Sequence, residues 1–126
     1  MTINPTPLVL LIESDPVQRD LIQLSLKRIG CEVISTRDPD LAINIVSKQH
    51  PSLIIIDTFI LGSSGLEILS NLHQKKLLKH SGVFFISSLG FPEIIQQAKD
   101  AGAHEFLIKP LDMDDLLSRA RRILQI

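Results

Sequence analysis

The sequence predicts an α/β domain: a parallel sheet covered by helices on both faces. Three observations predict it. Strand-like and helix-like stretches alternate five times along 126 residues, the pattern of repeated βα units. Leu53-Ile54-Ile55-Ile56 is an unbroken aliphatic run, which suits a strand buried on both faces of a parallel sheet. Polar residues capable of chemistry follow directly on several apolar runs, where open α/β sheets place their ligand groups.

Residues 1–7, with Pro5 and Pro7, read as a short loose lead-in, and residues 8–126 as one domain. That length buries a real core without staples. The first strand is Leu8–Ile12. A helix follows from Pro16 with Asp15 as N-cap, since proline suits the first helical position. Val17, Leu21, Leu24 and the stem of Arg28 are expected to line its inner face, and Gly30 to end it. A short strand at Glu32–Ser35 precedes a second helix, capped by Asp38 before Pro39 and running to about Gln49. The third strand ends in Asp57, and Gly62-Ser63-Ser64 reads as a polar, flexible loop. Ser64 with Glu67 three residues later is a capping box for the third helix. Val83–Ile86 is the fourth strand. Ile94, Ile95, Ala98 and Ala101 mark the fourth helix, ending at Gly102. Phe106–Ile108 is the fifth strand. Asp112 caps the last helix, whose stripe of Leu116, Leu117, Ala120, Ile123 and Leu124 faces the sheet.

Thirteen basic and 14 acidic residues leave a net charge of −1, so no polyelectrolyte partner is implied. Tryptophan and tyrosine are absent, which argues against a stacking platform for single-stranded nucleic acid. One cysteine, Cys31, excludes an internal disulfide and suits a reducing compartment. No apolar run approaches the roughly 20 residues that span a bilayer. A cytoplasmic protein without membrane or direct nucleic-acid contact is expected. His50, His73, His80 and His104 lack metal-ligand spacing and read as surface residues. Arg119, Arg121 and Arg122 read as a solvated helix face.

Four strand ends carry the chemistry. They are Glu13-Ser14-Asp15 after the first strand, Asp57 after the third, Ser87-Ser88 after the fourth and Lys109-Pro110 after the fifth. A carboxylate that attacks a phosphoryl donor must be ionised, screened by a divalent cation and surrounded by donors for the phosphoryl oxygens. Asp57 suits the nucleophile. Glu13 and Asp15 suit Mg²⁺, which uses one or two carboxylates plus waters, although Asp15 is better explained as a helix cap. Lys109 suits a phosphoryl oxygen as a point charge. Ser87 offers a hydroxyl, with Ser88 as the fallback.

These residues resemble the receiver domain of two-component response regulators, from about Leu8 to Leu124. The matching pieces are Leu10-Leu11-Ile12-Glu13-Ser14-Asp15-Pro16, Ile55-Ile56-Asp57, Gly65 eight residues on, Ile86-Ser87-Ser88, and Ala101-Gly102-Ala103 leading to Phe106-Leu107-Ile108-Lys109-Pro110. The resemblance implies a CheY-like, flavodoxin-like (βα)5 fold. That fold is a doubly wound parallel sheet of strand order 2-1-3-4-5 in three α/β/α layers. It implies Asp57 as phospho-acceptor, Ser87 as switch hydroxyl, Phe106 as aromatic switch, and Lys109 as the conserved-type lysine, its bond to Pro110 often cis. It implies Mg²⁺ held by Glu13, Asp57 and the Phe59 backbone carbonyl, with Asp15 a partial substitute ligand. A histidine kinase or phosphotransfer protein is the implied donor. A downstream protein is implied on the fourth-helix, fifth-strand, fifth-helix face, where Leu89, Phe91 and Leu111 lie, and a phospho-dependent homodimer is a further state. The chain is then a signalling domain and not a metabolic enzyme. No output domain follows within the 126 residues, so a stand-alone or excised receiver is expected.

Two departures stand out. Ser14 occupies the second acidic position, usually an aspartate and metal ligand, so Mg²⁺ binding should be weak. Leu61 stands where proline is frequent. Ser14 favours an alternative, a pseudo-receiver that binds partners without phosphate. A flavin- or nucleotide-binding protein fits poorly, because no glycine-rich loop follows the first strand. An aspartyl-phosphate hydrolase normally has a second acid two residues after the nucleophile, where Phe59 stands.

Overall fold

The computed structural model describes residues 6–60 and 62–126. The lead-in residues 1–5 and Leu61 lie outside the described residues. Five parallel strands form the main sheet: β1 (Leu8–Ile12), β2 (Glu32–Thr36), β3 (Leu53–Asp57), β6 (Gly82–Ser87) and β7 (Glu105–Ile108). Their order is β2-β1-β3-β6-β7, which is 2-1-3-4-5 among the strands of this sheet. The helices are α1 (Pro16–Arg28), α2 (Pro39–Gln49), α3 (Gly65–Gln74), α4 (Pro92–Asp100) and α5 (Met113–Leu124). The fold is therefore the flavodoxin-like α/β/α sandwich.

The central strands are apolar throughout because both their faces are covered. Leu10, Ile12, Ile54, Ile56 and Phe85 point into a core closed by α2, α3 and α4. Their alternate neighbours Val9, Leu11, Leu53, Ile55 and Phe84 point into a second core closed by α1 and α5. Successive strand side chains face opposite ways, so one aliphatic run feeds two cores. Each fully buried aliphatic side chain contributes about 1.5–3 kcal/mol of transfer free energy.

Asp15, Asp38, Ser64 and Asp112 all cap helices by accepting a backbone N–H in the first turn. Gly30, at φ +94°, closes α1: Cys31 N donates to Leu26 O at 3.1 Å and Gly30 N to Lys27 O at 3.1 Å. This paired motif needs a left-handed residue that glycine adopts without penalty.

Three expectations are corrected. The buried face of α1 is Ile22, Ser25 and Leu26, while Val17, Leu21 and Leu24 are 76 %, 50 % and 51 % exposed, and Arg28 is exposed with them. Two apolar stripes compete on this helix. Ser25 marks the buried one as polar in sequence, yet its hydroxyl donates to Leu21 O at 2.8 Å and so buries without an unmet hydrogen bond. The stretch read as a flexible loop after Asp57 instead pairs antiparallel, as β4 (Phe59–Ile60) with β5 (Ser63–Ser64). His104 is exposed as expected, and it also makes two hydrogen bonds. Its Nδ1 accepts the Val83 N–H at 3.0 Å, and its own N–H donates to Val83 O at 2.8 Å, tying β6 to the segment before β7. Arg119 departs from a purely solvated role: it is half-buried and ion-paired to Glu105 at 2.6 Å and Asp115 at 3.0 Å. No helix among the described residues is long and apolar enough to cross a membrane.

Candidate functional site

Register brings the strand ends together. Ile12 pairs with Ile56, so Glu13 lies level with Asp57. Asp57 pairs with Ile86, and Ser87 with Ile108, so Ser87 and Lys109 follow on the same edge. Lys109 N donates to Ser87 O at 2.8 Å, which fixes where its side chain departs. The Lys109–Pro110 peptide is cis, as the resemblance implies.

Lys109 reaches between two carboxylates. Its ammonium donates to Glu13 Oε1 at 3.2 Å and is in contact with Asp57 Oδ2. Glu13 is 1 % and Asp57 3 % exposed. Backbone amides hold the outer oxygens: Phe59 N–H donates to Asp57 Oδ1 at 2.9 Å and Ser14 N–H to Glu13 Oε2 at 3.1 Å. Asp57 Oδ2 accepts no hydrogen bond of ordinary geometry; the lysine is its charge partner. Burial, then the charge of Asp57 and a hydrogen bond with it, push the Glu13 carboxyl up to about 7 against the opposing pull of Lys109. Burial pulls the Lys109 ammonium down, but hydrogen bonds and charge from Asp57 and Glu13 outweigh it, and its pKa lies above the ordinary lysine value. The Lys109 ammonium thus lies between Asp57 and a Glu13 carboxyl that holds its proton more tightly than an ordinary glutamate.

Gly65 permits this packing. A Cβ there would lie 1.9 Å from the Asp57 carbonyl oxygen, an overlap no rotamer relieves. Thr58 Oγ1 donates to Ile86 O at 2.9 Å and further clamps the turn. Neither contact is visible as chemistry in the sequence; only the position of Gly65 signals its own.

Ser87 is fully buried, and its Oγ accepts the Leu89 N–H at 2.9 Å. Phe106 is half-buried, with its ring centroid 5.7 Å from that of Phe85. Ser88 is exposed, as is the side chain of Phe59. Asp15 Oδ1 accepts the Val17 N–H at 3.1 Å as the α1 cap. The described residues contain no group of three His, Cys, Asp or Glu side chains that could hold a metal, so Asp15 does not stand as a third carboxylate beside Glu13 and Asp57. A cavity of about 620 Å³ lies at the opposite edge of the sheet among Lys79, His80, Ser81 and His104. Ser81 and His104 are already hydrogen-bonded there, to Pro51 O and Val83 N.

Fold and site together define a doubly wound α/β domain with an aspartate, a glutamate and a lysine joined at the C-terminal edge of its sheet. The chain belongs to the response regulator receiver domain family, whose family model matches residues 9–121. It is 22 % identical over 117 residues to the phosphate regulon transcriptional regulatory protein PhoB of Escherichia coli (strain K12), covering 93 % of this chain and 51 % of that protein. The chain thus spans about half the length of PhoB. It is 25 % identical over 118 residues to sporulation initiation phosphotransferase F of Bacillus subtilis (strain 168), covering 94 % of each. Among solved structures, the chemotaxis protein CheY4 of Vibrio cholerae superposes with a TM-score of 0.86 at 24 % identity, covering 94 % of this chain and 99 % of that one. The protein is a receiver domain of the two-component response-regulator type.

Proposed function

We propose that residues 8–126 act as a phosphorylation-driven switch, with Asp57 as the acceptor and a histidine kinase or phosphotransfer protein as the donor. The observation that carries this reading is the buried Glu13–Lys109–Asp57 cluster. It holds the nucleophile at the edge of the sheet against an ammonium, where phosphoryl oxygens would arrive. An Asp57 carboxylate oxygen bonds to phosphorus as the bond from phosphorus to the donor's leaving atom breaks, the electron pair departing with the leaving group. Lys109 pairs with a phosphoryl oxygen as Asp57 loses its own charge to the new bond.

Mg²⁺ fits this donor set, because two buried carboxylates lie side by side and already hold one cation, the Lys109 ammonium, between them. Glu13, Asp57 and the Phe59 carbonyl would hold it, water completing the shell in place of the acid that Ser14 replaces. Bound there, the ion would offset negative charge between acceptor and donor.

Phosphorylation adds about −1.5 to −2 of charge and strong acceptor oxygens. A hydrogen bond to a charged group contributes about 1.5–3 kcal/mol net, so Ser87 and Lys109 together supply about 3–6 kcal/mol. Inverting a 1:99 equilibrium needs about 5.5 kcal/mol. The switch is feasible with little margin. Ser87 would leave the Leu89 N–H for the phosphoryl oxygens, Phe106 would turn into the space released, and the α4–β7–α5 face would change for a downstream partner or a second copy. Phe91 and Ile108 are exposed there, while Leu111 packs against the core.

Ser14 favours a second reading, a receiver that binds partners regardless of phosphate. One experiment separates the two: acetyl phosphate and Mg²⁺ with native protein and Asp57→Asn, each weighed intact. A one-phosphoryl gain in the native protein alone supports the switch. No gain in folded native protein, with reactivity appearing in Ser14→Asp, supports the phosphate-independent module.

A further inference from the structure

The helices share one charge rule, with α3 closing on His73 in place of a lysine or arginine. First turns carry the acids Asp40, Glu67, Glu93, Asp114 and Asp115, or in α1 the cap Asp15. Last turns carry bases such as Lys27, Lys48, Lys99 and Arg121. Each placement complements a helix macrodipole, which explains its local value. Because all five sheet strands are parallel, all five helix starts meet at one edge of the molecule, and the local rule becomes a global polarity. Of the 14 acids, ten lie on the loops and first turns around Asp57, with only Arg19, Arg37 and Lys109 as bases beside them. Nine of the 13 bases lie at the far edge, against Glu32, Asp100 and Glu105. A net charge of −1 thus conceals one strongly acidic and one strongly basic pole. Five helix N-termini at about +0.5 each offset less than half of the excess at the acidic pole.

We propose that this polarity makes Asp57 selective among phosphoryl donors, disfavouring small dianions and favouring phosphohistidine donors whose surface around the phosphoryl group is basic. The inference rests on Asp57 being the acceptor. Charge of one sign around a cleft changes the local concentration of a charged reactant, with rate effects of about 10–10³-fold in steered systems. At about 10 mM salt the Debye length is about 30 Å and the whole pole acts on an approaching donor; at about 0.3 M it is screened. In each transfer an Asp57 oxygen bonds to phosphorus while the bond to the donor's oxygen or nitrogen breaks, the electron pair leaving with acetate, with ammonia from N-protonated phosphoramidate, or with imidazole whose other ring nitrogen takes a proton from solvent.

The test compares donors across KCl at one fixed Mg²⁺ concentration, low enough for KCl to set the ionic strength, with phosphorylated protein counted by intact mass. Acetyl phosphate should react about threefold or more faster at about 0.3 M than at about 10 mM KCl, and the lower-charged phosphoramidate should show a shallower rise. Phosphohistidine peptides should reverse the trend when flanked by lysines and follow acetyl phosphate when flanked by glutamates. A triple variant, Asp40→Asn, Glu93→Gln, Asp114→Asn, alters only exposed first-turn acids outside the cluster. It should raise the low-salt acetyl phosphate rate and flatten the salt curve, with circular dichroism confirming the fold. Phosphorylation that is indifferent to salt, or equal transfer from both peptides at low salt, overturns the inference alone. Absence of Asp57-dependent phosphorylation at every salt overturns the acceptor reading and this inference with it.

Discussion

At the scale of single residues, the site depends on a missing side chain as much as on the charged ones. Gly65 sits against the Asp57 carbonyl, where an added Cβ would approach to 1.9 Å of the oxygen and 2.8 Å of the Ile56 side chain. Gly65→Ala must therefore move backbone at the acceptor. A loss of about 2 kcal/mol or more is expected, within the range of overpacking, and urea unfolding measures it; a loss below about 0.5 kcal/mol would refute the tight packing. Glu13 gives a pH prediction. Its folded pKa of about 7 lies above the ordinary value of 4.5, so the folded state binds the extra proton. The associated stability is present below about pH 4.5 and is lost as pH rises through about 7. In metal-free buffer the native protein should lose on the order of 2 kcal/mol relative to Glu13→Gln between pH 5 and 8. Parallel denaturation curves for the two proteins across that range would contradict the assigned cause. Asp57, Glu13, Ser87 and Lys109 were legible because each directly follows a run of apolar residues. The proton balance of Glu13 was not, since it comes from burial and from Asp57, opposed by a lysine 96 positions away in the chain.

At the scale of elements, capping was the most transparent signal and helix facing the least. Asp15, Asp38, Ser64 and Asp112 announce their helices by residue type and by the proline or acid that follows. On α1, periodicity alone admits two faces, and only the neighbouring strands decide between them. The stripe of Val17, Leu21 and Leu24 faces solvent beside the Asp57 edge, so its removal should cost little stability. Leu21→Ser is expected to shift unfolding by less than about 0.5 kcal/mol, as at ordinary surface positions. Ile22→Ala, at a fully buried site, should cost about 2–5 kcal/mol. Equal costs by urea titration would restore the other face. The β4–β5 ribbon was illegible for a different reason: two-residue strands have no period, and Gly62-Ser63-Ser64 carries turn chemistry that suits a loop equally well.

At the scale of the whole molecule, two cores share one sheet, and the proposed switch acts where they meet the acidic pole. Ser87 ends a strand that feeds both cores, and Phe106 leans on Phe85 in the α2–α3–α4 core. A phosphoryl group that draws Ser87 inward therefore has to reorganise the β6–α4 loop, whose Leu89 N–H now holds the Ser87 hydroxyl oxygen. The chain has no tryptophan or tyrosine, so one introduced indole reports without background. Phe106→Trp places it at the half-buried position expected to turn. Acetyl phosphate with Mg²⁺ should shift its emission to the blue as the ring leaves solvent. The same shift should be lost in Phe106→Trp/Asp57→Asn and strongly reduced in Phe106→Trp/Ser87→Ala, although the latter still gains phosphoryl mass. Mass gain with a full blue shift in the Ser87→Ala background would mean that Lys109 alone drives the change, and the hydroxyl would lose its place in the mechanism. Mass gain without any shift in the Ser87-containing protein would mean that phosphorylation stops at the site and never reaches the α4–β7–α5 face.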